Sequence, residues 1–435
     1  MTSWYAERAW LGPEAGLAER VAVSTDGERI TGVETRVGAP AGATRLPGLV
    51  IPGLVNAHSH AFHRALRGRT HGGRGDFWSW RERMYAVAAR LDPDSYRDLA
   101  RATYAEMVLA GITTVVEFHY LHHAPGGARY DDPHAMSHAL ADAAAEAGIR
   151  LVLLDTCYLQ SDVDGTPLSG PQLRFTDGSA PAWAERAAAG PAAGAAIHSV
   201  RGCPPSAMRT VVEWAAGRDA PLHLHLSEQR KENDACVAVH GRTPAQLCAD
   251  LGLLGPRTTA VHATHLTGTD IRLLGESRTG ACFCPTTERE LADGVGPAAA
   301  LVRAGAALSL GSDSHAVIDL FEEARGVELD ERLVTEERGH HTPASLLAAA
   351  TAGATAGLDV GRIAVGALAD FTAVRLDSVR LAGAGEDPVA AVVFAATAAD
   401  VAAVVSGGRL VVADGVHQGI GDVAGALDAA IRAVA

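Results

Sequence analysis

Lysine is almost missing from this chain: Lys231 is the only one, and arginine carries nearly all the positive charge. Acidic residues outnumber basic ones, 51 to 37, for a formal net charge of −14. No run of basic residues interrupts that balance, and aromatic residues make up only 5%. Nucleic-acid binding rests on phosphate neutralisation and base stacking, so it is excluded as a function class. A small anionic substrate is not excluded, because two arginines can form a local site in an acidic protein. The six cysteines are scattered without a Cys-x-x-Cys pair, and Cys282 and Cys284 alternate on an apolar stretch. Reduced core thiols and a cytoplasmic protein are the expectation. The N-terminus has no basic segment followed by an apolar core, so no signal peptide is expected. No run of about 18 apolar residues exists, so no membrane span or membrane partner is expected either.

What is present is an ordinary globular composition, 48% hydrophobic and 20% charged over 435 residues. That length suits one barrel-sized domain plus a smaller one. Near the N-terminus, Arg20–Ser24 and Asp26–Ile30 read as short strands, with Asp26-Gly27 as a hairpin signal. From about residue 50, apolar strands alternate with alanine-rich helical stretches. Strands are expected near 49–60, 112–120, 149–157, 195–201, 221–227, 258–263, 279–284 and 306–311, with helices such as 94–110, 134–147 and 206–217 between them. Eight such units predict a parallel (β/α)8 TIM-like barrel, an α/β fold, over 51–363. The Ala/Gly/Pro stretch 187–196 reads as a flexible loop. Strand-like pieces return at 369–374, 402–405 and 409–412, and a helix is expected at about 422–434. Residues 1–50 and 364–435 are therefore expected to pair into a small β-sandwich domain built from both chain ends.

The polar residues that stand out fall at strand C-termini, where barrel active sites lie. His58 and His60 end the first strand, and residues i and i+2 share a face. His225 ends Pro221–His225, His262 ends Thr259–His262, and Asp313 follows Leu308–Ser312. Imidazoles with one carboxylate suit a borderline divalent cation such as Zn²⁺. His58, His60, His225 and Asp313 are the expected ligands, leaving room for water. His223 rivals His225 but lies deeper in the barrel. Zinc lowers the pKa of water to roughly 7, and a carboxylate that shuttles protons adds about 10²- to 10⁴-fold. Glu228, three residues past His225, is placed to touch substrate rather than metal.

These residues resemble the amidohydrolase superfamily along essentially the whole chain, and within it the mononuclear aminohydrolases. The resemblance is strongest to the formimidoylglutamate deiminase family of histidine degradation. It rests on Asn56–Phe62, Phe77–Tyr85, Glu117–His123, His198–Arg201, His225–Gln229, Val261–His265 and Gly311–His315. Binuclear members bridge two metals with a carboxylated lysine on strand four; here that strand ends in Arg201, so one zinc per chain is implied.

The resemblance also implies roles. Asp313 would accept a proton from the metal-bound water, Glu228 would bind the imino nitrogen and transfer protons, and His262 would stabilise the attacking hydroxide or the developing tetrahedral centre. Arg81, Tyr120, His198 and Arg201 match positions that contact the glutamate moiety, and an arginine fork suits carboxylate. The implied reaction is hydrolysis of the linear amidine of N-formimidoyl-L-glutamate to N-formyl-L-glutamate and ammonia. One position departs from the family: His63 stands where glutamine is usual. Histidine can donate a hydrogen bond too, and if protonated it favours carboxylate further. It could equally mark another formimidoyl or guanidino acid, and a purine-like substrate is the remaining alternative. Size favours self-association as a homodimer.

Overall fold

The computed structural model describes residues 1–71 and 77–435. Four strands open the chain: β1 (Thr2–Trp10), β2 (Leu17–Asp26), β3 (Arg29–Glu34) and β4 (Thr44–Pro52). Eight strands follow, with helices between most of them: β5 (Leu54–Ser59), β6 (Ile112–His119), β7 (Arg150–Cys157), β8 (Gly194–Ile197), β9 (Leu222–Leu226), β10 (Thr258–His262), β11 (Gly280–Phe283) and β12 (Leu308–Leu310). Each pairs in parallel with the next. Four last strands, β13 (Phe371–Val374), β14 (Val401–Ser406), β15 (Arg409–Ala413) and β16 (Val416–His417), join β1–β4 in one mixed sheet ordered β16-β15-β14-β13-β4-β1-β2-β3. The helix Val423–Val434 ends the chain.

Most of the expected strands are present, with two corrections. The stretch 49–60 is not one strand: β4 belongs to the small sheet and β5 opens the barrel. Gly53 makes the break, where a Cβ would sit 2.1 Å from the Thr113 hydroxyl. A continuous apolar run hides such a break, because burial on both sides of it removes the alternation that would mark two strands. The stretch 187–196 is not all loop: the helix Ala180–Ala189 runs into it and β8 begins at Gly194. Alanine's helix propensity outweighed the nearby glycine and proline.

The small sheet rolls on itself. The Ile30 amide donates to the Ala367 carbonyl (3.0 Å) and the Ala369 amide to the Glu28 carbonyl (2.8 Å). The β2–β3 hairpin, turned at Gly27 with φ 54°, is thereby folded against the entry to β13. Trp4, Val21, Val23, Ile30, Phe371 and Val405 pack between. Among the described residues no helix is long and apolar enough to cross a membrane.

The barrel closes between β12 and β5. The Asp313 amide donates to the His58 carbonyl (3.0 Å), and Ser59 bridges to Asp313. The Asn56 side chain donates to Ser312 Oγ (2.7 Å) and accepts from the Ser312 amide (3.0 Å). Gly311 makes this approach possible, since a Cβ there would lie 2.7 Å from His58 Cβ.

A buried ion network pins the segment after β6. Arg186 holds Asp155 of β7 through two hydrogen bonds (2.7 and 2.8 Å) and Asp177 through its Nε (2.9 Å). Trp183 donates to Asp155 (2.8 Å), and His123 pairs with Asp177 (3.1 Å). The amides of His122 and His123 donate to the Arg174 carbonyl, which fixes the turn that carries Tyr120. Burial pushes the Asp177 carboxyl up, but hydrogen bonds from His123 and Arg186 hold it well below the usual range. Its stabilisation is complete above the unfolded-chain value of about 3.9 and is lost as pH falls below it. Arg186→Leu strands two buried carboxylates and is expected to cost about 3–5 kcal/mol. Urea titrations at pH 7 and pH 3.5 check both statements: the gap between wild type and variant narrows at the lower pH.

Candidate active site

The expected site residues meet at the C-terminal mouth of the barrel. Five non-glycine residues there have left-handed backbone: Ser227 (φ 54°), His262 (68°), Ala263 (48°), Asp313 (39°) and His315 (56°). Such conformations cost about 1–3 kcal/mol each and persist where the surroundings enforce them. Here they turn the chain sharply off β9, β10 and β12, so that His262 and Asp313 face inward beside His225.

His58 lies at the centre of the nitrogen and oxygen donors. Its Nε2 is 3.1 Å from His225 Nε2 and 3.3 Å from Asp313 Oδ1, and His60 Nε2 is 3.4 Å from that same oxygen. A tetrahedral cation with bonds of about 2.0–2.1 Å holds its ligands about 3.3–3.4 Å apart. Hydrogen bonding decides which nitrogens are free. His60 Nδ1 donates to the Phe118 carbonyl (2.9 Å) and His225 Nδ1 to the His198 carbonyl (2.8 Å). Carbonyls only accept, so both Nε2 atoms carry bare lone pairs that converge in a buried space. Burial keeps both imidazoles well below their usual pKa, hence neutral. The donor set therefore fits a divalent cation.

Two further residues stand near it. His262 Nε2 is 3.7 Å from Asp313 Oδ2 and its Nδ1 is 3.3 Å from Glu288. Burial works against its charge, but the bond to Glu288 and the carboxylates of Glu228 and Asp313 push its pKa well above the usual value. That favours a proton carrier. Cys284 approaches His262 and Asp313, but burial keeps its thiol protonated. The rival His223 turns elsewhere, donating to the Thr355 carbonyl (2.8 Å). His315 bonds Ser312 Oγ (2.9 Å) and lies 3.3 Å from Ser59 Oγ, behind the site.

The His58-Ser59-His60 turn is clamped by a residue the sequence did not single out. Glu117, fully buried on β6, accepts from Ser59 Oγ (2.6 Å) and from the Ala61 amide (2.7 Å).

A cavity open to solvent lies above the donors. All the expected substrate-contacting residues line it: His63, Arg81, Tyr120, His198, Arg201 and Glu228. Arg201 is 5% exposed and lies 3.8 Å from Glu228 and 3.4 Å from Glu232. Burial pushes the Glu228 carboxyl up, with His262 and Arg201 opposing. Arg81 packs over Trp78 (4.5 Å) rather than pairing with Glu82, and Lys231 Nζ lies 4.6 Å over the same indole. His63 bonds Tyr120 Oη (2.9 Å). Burial depresses its pKa to about 3, which favours the neutral imidazole over the cation. Tyr85 and Tyr158 also line the cavity and were not anticipated, although Tyr85 lies inside the quoted Phe77–Tyr85 block.

Fold and site together define a hydrolase on a (β/α)8 barrel. The sequence pattern of the amidohydrolase family matches residues 49–411, and the chain belongs to that family. It is similar to formimidoylglutamate deiminase from Pseudomonas aeruginosa, at 38% identity over 96% of each chain. The solved amidohydrolase from Brucella melitensis superposes with a TM-score of 0.91 at 30% identity, covering 100% of both chains. An adenosine deaminase from Xanthomonas campestris, solved with bound zinc, superposes with a TM-score of 0.83 at 25% identity, covering 99% of this chain and 97% of that one.

Glu117→Ala leaves the Ser59 hydroxyl and Ala61 amide without their acceptor. The expected loss is about 1–3 kcal/mol, read as a lower urea midpoint, together with a fall in bound metal measured by elemental analysis.

Proposed function

We propose that this enzyme hydrolyses N-formimidoyl-L-glutamate to N-formyl-L-glutamate and ammonia, using one zinc ion held by His58, His60, His225 and Asp313. The observation that carries the proposal is one cavity lined both by three of these donors, His60, His225 and Asp313, and by two arginines, Arg81 and Arg201. A substrate with an amidine at one end and carboxylates at the other suits such a cavity. Similarity to the Pseudomonas formimidoylglutamate deiminase supports the same substrate, and the donor set described above supports the metal.

When bound, the zinc supplies Lewis acidity that makes water a competent nucleophile at neutral pH. The chain's own residues do the rest. Asp313 presents a carboxylate oxygen that accepts a proton from the attacking water. Glu228, buried and inclined to hold a proton, transfers it to the imino nitrogen as water adds. The proton taken up by Asp313 reaches the same nitrogen next, so that it departs as ammonia rather than as an anion, while the hydroxyl proton of the tetrahedral centre returns to Glu228. His262, placed between Glu288 and Asp313, donates to the tetrahedral centre as charge develops there. Arg81 and Arg201 bind carboxylate, with Tyr120 and His198 beside them. Neutral His63 acts through its bond to Tyr120 and can replace a glutamine there without adding charge.

Ammonia release from zinc-loaded protein tests the proposal, with N-formimidoyl-L-aspartate, guanidino acids and adenosine alongside. Turnover of the glutamate compound is expected; turnover of another panel member alone overturns the substrate. Glu228→Gln is expected to retain zinc and lose at least about 10²-fold in kcat; an undiminished kcat removes its proton-transfer role. Arg201→Ala is expected to raise KM by about 2–5 kcal/mol of lost binding, and an unchanged KM removes it from the clamp.

A further inference from the structure

Two phenols and one amide form a donor system in the cavity wall that the mechanism above leaves unused. Gln172, buried on the short helix Gly170–Phe175, donates from its Nε2 to Tyr85 Oη (3.1 Å) and to Tyr158 Oη (3.2 Å). The amide's orientation is set on its other side, where Oε1 accepts from the Ser169 amide (3.5 Å) in a capping box. Both amide hydrogens are therefore spent on the two phenol oxygens, and neither phenol can donate back to that nitrogen.

Counting hydrogens settles what the phenols can do next. Each hydroxyl has one hydrogen. A bond between the two hydroxyls would use at most one of their hydrogens. At least one O–H is then left over, and both phenols border the cavity. Arg81 and Arg201 act electrostatically on Tyr85, and Arg201 feels both phenols. Burial raises the Tyr85 pKa, so the phenol keeps its hydrogen. An O–H donor and two guanidinium groups facing one space make a seat for an anionic oxygen, and the phenol adds a hydrogen bond without adding charge.

Resting on the reading of the substrate as an amino-dicarboxylate, we propose that Tyr85 and Tyr158 are specificity-determining residues that donate a hydrogen bond to a substrate carboxylate, and that Gln172 is the positioning residue that turns their hydroxyls toward it. Gln172 Nε2 offers the phenols no acceptor, so the hydrogen left over is directed to the cavity, where a ligand oxygen can take the place of water. A substrate lacking the carboxylate leaves that donor buried and unpaired, which is how such a seat discriminates.

The test uses zinc-loaded full-length protein, with circular dichroism and metal content verified for each variant. Tyr85→Phe/Tyr158→Phe keeps both rings and is expected to raise KM for N-formimidoyl-L-glutamate at least tenfold, with kcat within threefold. Gln172→Leu is expected to raise KM in the wild-type background and to change it less than twofold in the double-Phe background, because the residues it positions are gone. A merely structural glutamine would instead lower kcat and stability in both backgrounds. Unchanged KM in the double-Phe protein, or a Gln172→Leu effect of equal size in both backgrounds, overturns the proposal. L-glutamate binding by calorimetry separates this result from the substrate assignment. If wild type turns over no N-formimidoyl acid, the functional reading has failed; the seat then survives only if wild type binds L-glutamate and the double-Phe protein binds it at least tenfold more weakly.

Discussion

The seam between β5 and β12 is the constraint on which the site depends. A barrel has no free edge once its last strand meets its first, and here the meeting point is also where His58 and Asp313 stand. The Asp313 amide donates to the His58 carbonyl, so the hydrogen bond that closes the fold also sets the spacing of two donor residues. Gly311 permits the contact and Asn56 locks it through both ends of its amide to Ser312. Closing the barrel and assembling the donors are thus one event, and any change that opens the seam separates the donors.

Around that seam the interior is polar far beyond what a core tolerates without compensation. Arg201 between Glu228 and Glu232, His262 between Glu288 and Asp313, and Arg186 between Asp155 and Asp177 each hold charge in low dielectric. Such groups contribute little net stability, since desolvation offsets attraction. They contribute geometry instead, because a buried charge confined by its partners has few alternative positions. The left-handed residues at the ends of β9, β10 and β12 belong to the same economy of strain held in place by packing.

Much of this was legible in the sequence, and the reasons are specific. Strand termini announce themselves where an apolar run stops at a histidine or aspartate, so His58, His60, His225, His262 and Asp313 could be placed before any coordinates were known. What stayed hidden was relational. Glu117 sits inside an apolar strand, and nothing local says that its carboxylate reaches Ser59 and the Ala61 amide. Gln172 lies on a short helix of ordinary composition, and its bonds to Tyr85 and Tyr158 span 87 and 14 residues. Gly53 looked like a residue within a strand because the close approach of Thr113 that requires it comes from a neighbouring strand. The protonation state of His63 depended on burial, which one histidine in a sequence does not reveal.

Lys231 stands exposed over Trp78, the same indole that Arg81 of the cavity wall packs over. Being the only lysine in the chain, it makes the mouth of the barrel the one place, apart from the terminal amine, where amine-directed chemistry can attach. Immobilising this protein through its amines would therefore orient a large share of the molecules with the cavity toward the support, and a fluorophore attached the same way would sit beside the entrance as a reporter of what passes through.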